Sequence, residues 1–204
     1  MSKVAKPHLL MAPHGREAWR DGWHAGARHV PSPNFGPRPE GTAIQLTVLH
    51  SISLPPGEYG GAQIEQLFVN QLDWSAHPYF ERIRGIKVSA HFVIRRDGEM
   101  LQFVSVLQRA WHAGVSSWNG RGNVNDYSIG IELEGLEGEA FDDRQYPVLA
   151  ALLRDCAAVW PVAEVVGHEH VAPGRKADPG AGFDWARLQR RLRWAAARFP
   201  ATPV

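Results

Sequence analysis

The chain has 204 residues, near the upper end of a single compact domain and long enough to bury a sizeable core. Hydrophobic residues make up 44% and charged residues 21%, an ordinary globular balance that excludes disordered, collagenous and membrane-spanning classes. A formal net charge of +1 gives no global field to gather nucleic acid or anionic lipid, so anions must be recognised by local groups and no nucleic-acid partner is expected.

Residues 1–20 mix Lys, Pro, His and Gly without periodicity and read as a loosely ordered N-terminal extension outside the core, leaving 21–200 as one domain. The apolar run Leu9-Leu10-Met11-Ala12 is cut by Pro13 and His14, too soon for a signal-peptide core or a membrane span. No membrane partner and a cytoplasmic location are the expectation.

Residues 43–50 form a β-branched and apolar run that predicts a buried strand ending at His50. Two prolines and three glycines make 54–61 a loop, and Ile64, Leu67 and Phe68 place a short helix over about 63–72. Strands at 88–95 and 100–104 flank Asp97-Gly98, a strong signal for a tight antiparallel hairpin. Residues 127–133 predict another strand, carrying Glu132 between Ile131 and Leu133.

Helical spacing of Leu149, Leu152, Leu153, Cys156 and Trp160 predicts a helix over 144–160, stopped by Pro161. Cys156, the one cysteine, cannot form an intramolecular disulfide and acts in that pattern as a small hydrophobe. A short strand at 162–166 leads to His168, and Asp184 caps a last helix running through Trp185, Leu188, Leu192 and Phe199. Mixed strands and helices with a hairpin argue an α/β or α+β domain on a mixed sheet.

Three groups at strand ends or adjoining loops can converge: His50, His168 and Asp178. Two neutral imidazoles and a carboxylate suit zinc, with one coordination position left for water. His168-Glu169-His170 keeps another pairing open, since alternate residues of an extended segment point the same way, and spacing does not choose between His170 and Asp178. Glu132, on residues alone, reads rather as a strand residue paired with a buried Arg or Lys than as a catalytic group. Trp111 alone reads as core.

The run from His50 through Pro55-Pro56-Gly57 to Gly60-Gly61 is followed in order by Ser89-Ala90-His91, Arg95-Arg96-Asp97-Gly98-Glu99, Trp111-His112-Ala113-Gly114 and Ser128-Ile129-Gly130-Ile131-Glu132. With Ala172-Pro173-Gly174-Arg175-Lys176-Ala177-Asp178-Pro179-Gly180, this series resembles the AmpD family of cytosolic anhydro-N-acetylmuramyl-L-alanine amidases, from about Gly22 to about Arg187. The resemblance implies a fold shared with peptidoglycan recognition proteins, a central mixed sheet flanked by helices. It implies Zn2+ held by His50, His168 and Asp178, and catalysis by Glu132 and Lys176 on an anhydromuropeptide.

In those roles Glu132 would move the proton of an attacking water and Lys176 would face the developing oxyanion. The resemblance also implies a substrate pocket at Trp111, His112 and Ala113, with Tyr79 beside it. Arg175 and Lys87 are the cations offered to stem-peptide carboxylates. Two departures touch the ligands: Ser51 stands where asparagine is common, and Glu169-His170 where smaller polar residues are usual. Rival readings are a module of the same fold that binds muropeptide without cutting it, and a lytic amidase acting on intact wall.

Overall fold

The computed structural model describes residues 13–200. Among these, six strands build one sheet: β1 Arg28–His29, β2 Leu46–Ile52, β3 Phe92–Ile94, β4 Met100–Gln102, β5 Ser128–Glu134 and β6 Glu164–Gly167. Their spatial order is β6-β2-β5-β3-β4-β1. The centre is parallel, with β5 between β2 and β3 and with β6 beside β2, whereas β3 and β4 make the antiparallel hairpin. Five helices follow the chain: α1 Gln63–Phe68, α2 Pro78–Arg82, α3 Gln145–Ala157, α4 His168–Val171 and α5 Trp185–Leu192. The fold is the expected α+β domain with a central mixed sheet flanked by helices.

Period-two alternation assigns the faces of β5. Ile129, Ile131 and Leu133 pack into a core with Leu149, Leu152 and Leu153 of α3 and Leu188 and Leu192 of α5. Each such aliphatic side chain, fully buried, contributes roughly 1.5–3 kcal/mol of transfer free energy. The opposite face of the sheet is covered by a second core, in which Ile64, Leu67 and Phe68 of α1 and Phe80 of α2 meet Val93 and Leu101. Ser128, Gly130 and Glu132 alternate with the apolar set, so the polar residues of β5 share one side.

Parallel pairing has a functional consequence, because it brings the C-terminal ends of neighbouring strands to one edge of the sheet. β2 presents His50 there, β5 presents Glu132, and β6 runs directly into α4, whose first residue is His168.

Several boundaries differ from the sequence expectation. β2 does not end at His50 but continues to Ile52, because its ladder with β5 runs on to Glu134. α1 stops at Phe68, whose carbonyl accepts from Ser32 Oγ (2.5 Å) and Asn34 Nδ2 (3.3 Å), and Asn70 then turns left-handed at φ 60°. α5 ends at Leu192 rather than near Phe199, because Arg193 adopts φ 56°.

Residues 1–12 of the expected extension lie outside the described residues. Within the remainder, Ala18 and Trp19 belong to the core rather than outside it. Ala18 is fully buried, and Trp19 packs edge-on against Trp160 with ring centroids 4.6 Å apart. Buried Asp155 of α3 anchors this stretch by accepting from the Gly15 N–H at 2.7 Å and bonding His24 Nε2 at 3.0 Å. These tertiary partners leave no local period in the sequence.

Candidate metal centre

His50, His168 and Asp178 meet at the edge where the parallel strands end. The Nδ1 atoms of His50 and His168 lie 3.0 Å apart, and each is 3.0 Å from Asp178 Oδ2. All three residues are buried. Asp178 is brought in by its own backbone, whose carbonyl accepts from the Glu169 N–H at 2.9 Å and so ties the 172–180 loop to the start of α4.

The donor set fits a small cation. His168 Nε2 lies 3.0 Å from the Ala113 carbonyl, which can only accept, so the proton of a neutral His168 is on Nε2 and its Nδ1 is a bare lone pair. Burial, the largest cause, pushes His50 down to about 4, so this imidazole is also neutral at ordinary pH. Tetrahedral ligands about 2.0–2.1 Å from zinc would stand roughly 3.3 Å apart, close to the observed triangle.

His170 is not part of the triangle. Its Nδ1 accepts from the Gly167 N–H at 2.9 Å, and its ring meets Trp185 edge-on, 5.7 Å between centroids. The choice that spacing left open thus falls to Asp178 on geometry.

A cleft of about 340 Å³ opens onto the triangle. Glu132, Lys176, Trp111, His112 and Tyr79 line it together with His50, His168 and Asp178. Glu132 is 9% exposed, and its Oε2 is buried without a hydrogen-bond partner among the described residues. Burial pushes its carboxyl well above the usual carboxylate range, the Asp178 charge adds to that, and Lys176 pulls the other way. The buried arginine that could have claimed Glu132 pairs instead with Glu134, Arg95 Nη1 to Oε1 at 3.1 Å. Glu134, one alternation further along β5, is the structural glutamate of the pair.

The remaining candidates take different places. Ala113 is fully buried, and its carbonyl serves both His168 and Arg175 Nη2, the latter at 2.6 Å. Arg175 also donates to the Val115 carbonyl at 2.6 Å and lies outside the lining of the main cleft. Lys87 is exposed between two lining residues, Ile86 and Val88. Ser51 also lines the cleft.

Sequence reading missed the apolar wall of Leu54, Pro56, Ile83, Ile86 and Val88, which lie in loops without a regular period. It also missed Asn125, whose Oδ1 accepts from the N–H groups of His112 (3.3 Å) and Ala113 (2.8 Å).

Comparison with known proteins bears on the fold and the family. The family model for N-acetylmuramoyl-L-alanine amidase matches residues 40–181. The chain is 51% identical over 170 residues to the 1,6-anhydro-N-acetylmuramyl-L-alanine amidase AmpD of Escherichia coli K12, spanning 82% of this chain and 93% of that protein. A crystal structure of a selenomethionine derivative of AmpD superposes with a TM-score of 0.82 at 50% identity, covering 85% of this chain and 98% of that one. Human PGRP-IBETAC, in complex with a glycosamyl muramyl pentapeptide, shares the fold at 15% identity and a TM-score of 0.57, covering 86% and 99% of the two chains.

Proposed function

The chain belongs to the N-acetylmuramoyl-L-alanine amidase family, and from that premise we propose a zinc amidase of peptidoglycan recycling. Its reaction is hydrolysis of the lactyl amide between 1,6-anhydro-N-acetylmuramic acid and L-alanine of a muropeptide. The observation that carries this reading is a buried triangle of two imidazole nitrogens and one carboxylate oxygen, with unpartnered Glu132 lining the same cleft. The anhydro-sugar substrate and a cytoplasmic site of action rest on likeness to the AmpD relatives. Among the described residues no helix is long and apolar enough to cross a membrane.

Zinc held by His50, His168 and Asp178 would supply a water acidified toward a pKa of about 7 and polarise the amide carbonyl. Glu132 takes the proton of the attacking water as the C–O bond forms, and returns it to the nitrogen of L-alanine as the C–N bond breaks and the carbonyl re-forms. A carboxyl whose affinity for protons is raised by burial suits both halves of that transfer. Lys176 places a positive charge beside the developing oxyanion. Trp111 and Tyr79 offer aromatic walls to sugar and peptide. Arg175 and Lys87, at the margins, are the cations for the stem carboxylates.

A module that only binds muropeptide needs neither the full ligand triangle nor a buried carboxylate without a partner. Product mass spectrometry on a purified anhydromuropeptide tests the assignment. Free 1,6-anhydro-N-acetylmuramic acid and an intact stem peptide, formed with zinc and lost in chelator, are expected. Undiminished cleavage by metal-free protein, or binding without cleavage, would overturn it.

A further inference from the structure

The Trp-His-Ala-Gly segment enters the site from behind the ligands as well as from the cleft. His112 Nδ1 lies 3.0 Å from His50 Nε2, and the rings cross at 81°. His112 Nε2 lies 3.1 Å from Ser128 Oγ, which in turn lies 2.7 Å from the Val124 carbonyl.

The terminal carbonyl orders every proton in this chain. A carbonyl can only accept, so the single hydroxyl proton of Ser128 is committed to Val124. Ser128 Oγ therefore accepts, and His112 carries its proton on Nε2. A neutral His112 then has a bare Nδ1, so the contact with His50 holds only if His50 Nε2–H donates. The lone pair of His50 is left on Nδ1, the atom that faces His168 and Asp178.

Gly130 makes the arrangement possible. A Cβ at this position would lie 2.4 Å from the His112 ring carbon Cγ and 2.7 Å from Nδ1. Gly130 has no left-handed backbone to accommodate, so it is required for space: the His112 imidazole occupies the room that a side chain on β5 would take.

We propose that His112 is a positioning residue for the metal ligand His50, locked in place by Ser128 and by the missing side chain of Gly130. With the Ala113 carbonyl on His168, two consecutive residues then fix the tautomers of both histidine ligands. The inference rests on the metal-site reading above. It replaces a direct substrate contact as the main duty of His112. Outer partners of this kind set metal affinity by holding the ligand ring and its proton.

Zinc affinity, measured by competition with a chromophoric chelator, separates the possibilities. His112→Phe keeps the ring but offers no acceptor and should weaken zinc about 10- to 100-fold, whereas His112→Asn, with an acceptor oxygen near the Nδ1 position, should stay within about threefold of wild type. Gly130→Ala removes no polar group yet should weaken zinc like His112→Phe, because the ring is displaced. In the zinc-loaded wild type, nitrogen-detected NMR should show His50 protonated on Nε2 with a coupling across the hydrogen bond to His112 Nδ1.

Wild type that takes up no zinc would overturn the metal site itself and this inference with it. Wild type that binds zinc, with His112→Phe binding equally well or with His50 protonated on Nδ1, would overturn the positioning role alone. The NMR readout needs only wild type, so a variant that fails to fold leaves the test intact.

Discussion

His50 and Glu132 are direct partners in the parallel ladder of β2 and β5. The pairing places a metal-ligand candidate and a proton-transfer candidate on adjacent rigid strands, and both line the cleft. Their spacing is therefore set by backbone hydrogen bonds rather than by a loop.

Glu132→Gln should keep zinc and fold while turnover falls about a hundred- to ten-thousandfold, the usual weight of a general acid–base group. The amide is nearly isosteric with the carboxylate but accepts no proton at neutral pH. Steady-state kinetics at matched zinc content checks this, and near wild-type turnover would remove Glu132 from the mechanism.

Glu134→Gln should behave in the opposite sense. Glu134 accepts from Arg95 Nη1, the Gly60 N–H (2.7 Å) and the Arg96 N–H (3.1 Å), whereas Arg95 keeps Glu65 (2.8 Å) and Glu99 (3.4 Å), so the substitution costs the charge-assisted bonds that three donors make to one buried carboxylate. Chemical denaturation should show a loss of about 1.5–3 kcal/mol. A glutamate two residues away would thus cost stability where Glu132→Gln costs rate.

His168→Ala should abolish stoichiometric zinc binding, and His170→Ala should leave it intact, because His170 is turned toward Gly167 and Trp185. Metal analysis of the two purified variants decides it. Equal loss in both would mean that the ligand triangle is misassigned.

Acid should destabilise the fold through His91, a histidine outside the metal ligands. Its Nδ1 accepts from the Gly130 N–H and its Nε2 bonds the Gln108 carbonyl, both at 3.0 Å. Burial, then the Arg38 guanidinium, push it down to about 3. Between about pH 6.5 and 3 the unfolded chain binds a proton at this position that the folded chain refuses, so stability falls as pH falls through that window. The contribution is on the order of a few kcal/mol. Melting temperature against pH should show this acid limb in the wild type and a shallower one in His91→Gln, which starts from lower stability at pH 7. An unchanged slope would acquit His91.

Much of the fold is legible in the sequence because its signals are local. Alternation around Glu132 gives β5, the leucine spacing gives α3, Asp97-Gly98 gives the hairpin, and Asp184 caps α5 by accepting from the Arg187 N–H at 2.7 Å. The ligand choice is legible only through family resemblance. Residue spacing treats His170 and Asp178 alike, and what separates them is that 168–171 is helical rather than extended, which turns His170 toward the Gly167 N–H and Trp185. The duties of His112 and Gly130 were hidden for a similar reason. His112 meets His50 across 62 positions of chain and Gly130 makes room for a ring 18 positions before it, with no period to announce either contact. Ala18 and Trp19 read as lying outside the core because the partners of Trp19, Asp155 and Trp160, lie far along the chain.

One zinc ion held by His50, His168 and Asp178 is the proposed source of the amidase activity. Zinc titrated into metal-free protein, with release of the L-alanine-terminated stem peptide from anhydromuropeptide followed at each addition, tests it most directly. Activity should rise from baseline in proportion to zinc and level off at about one equivalent per chain. Full activity before any zinc is added, or zinc uptake at one equivalent with no peptide released, would contradict it.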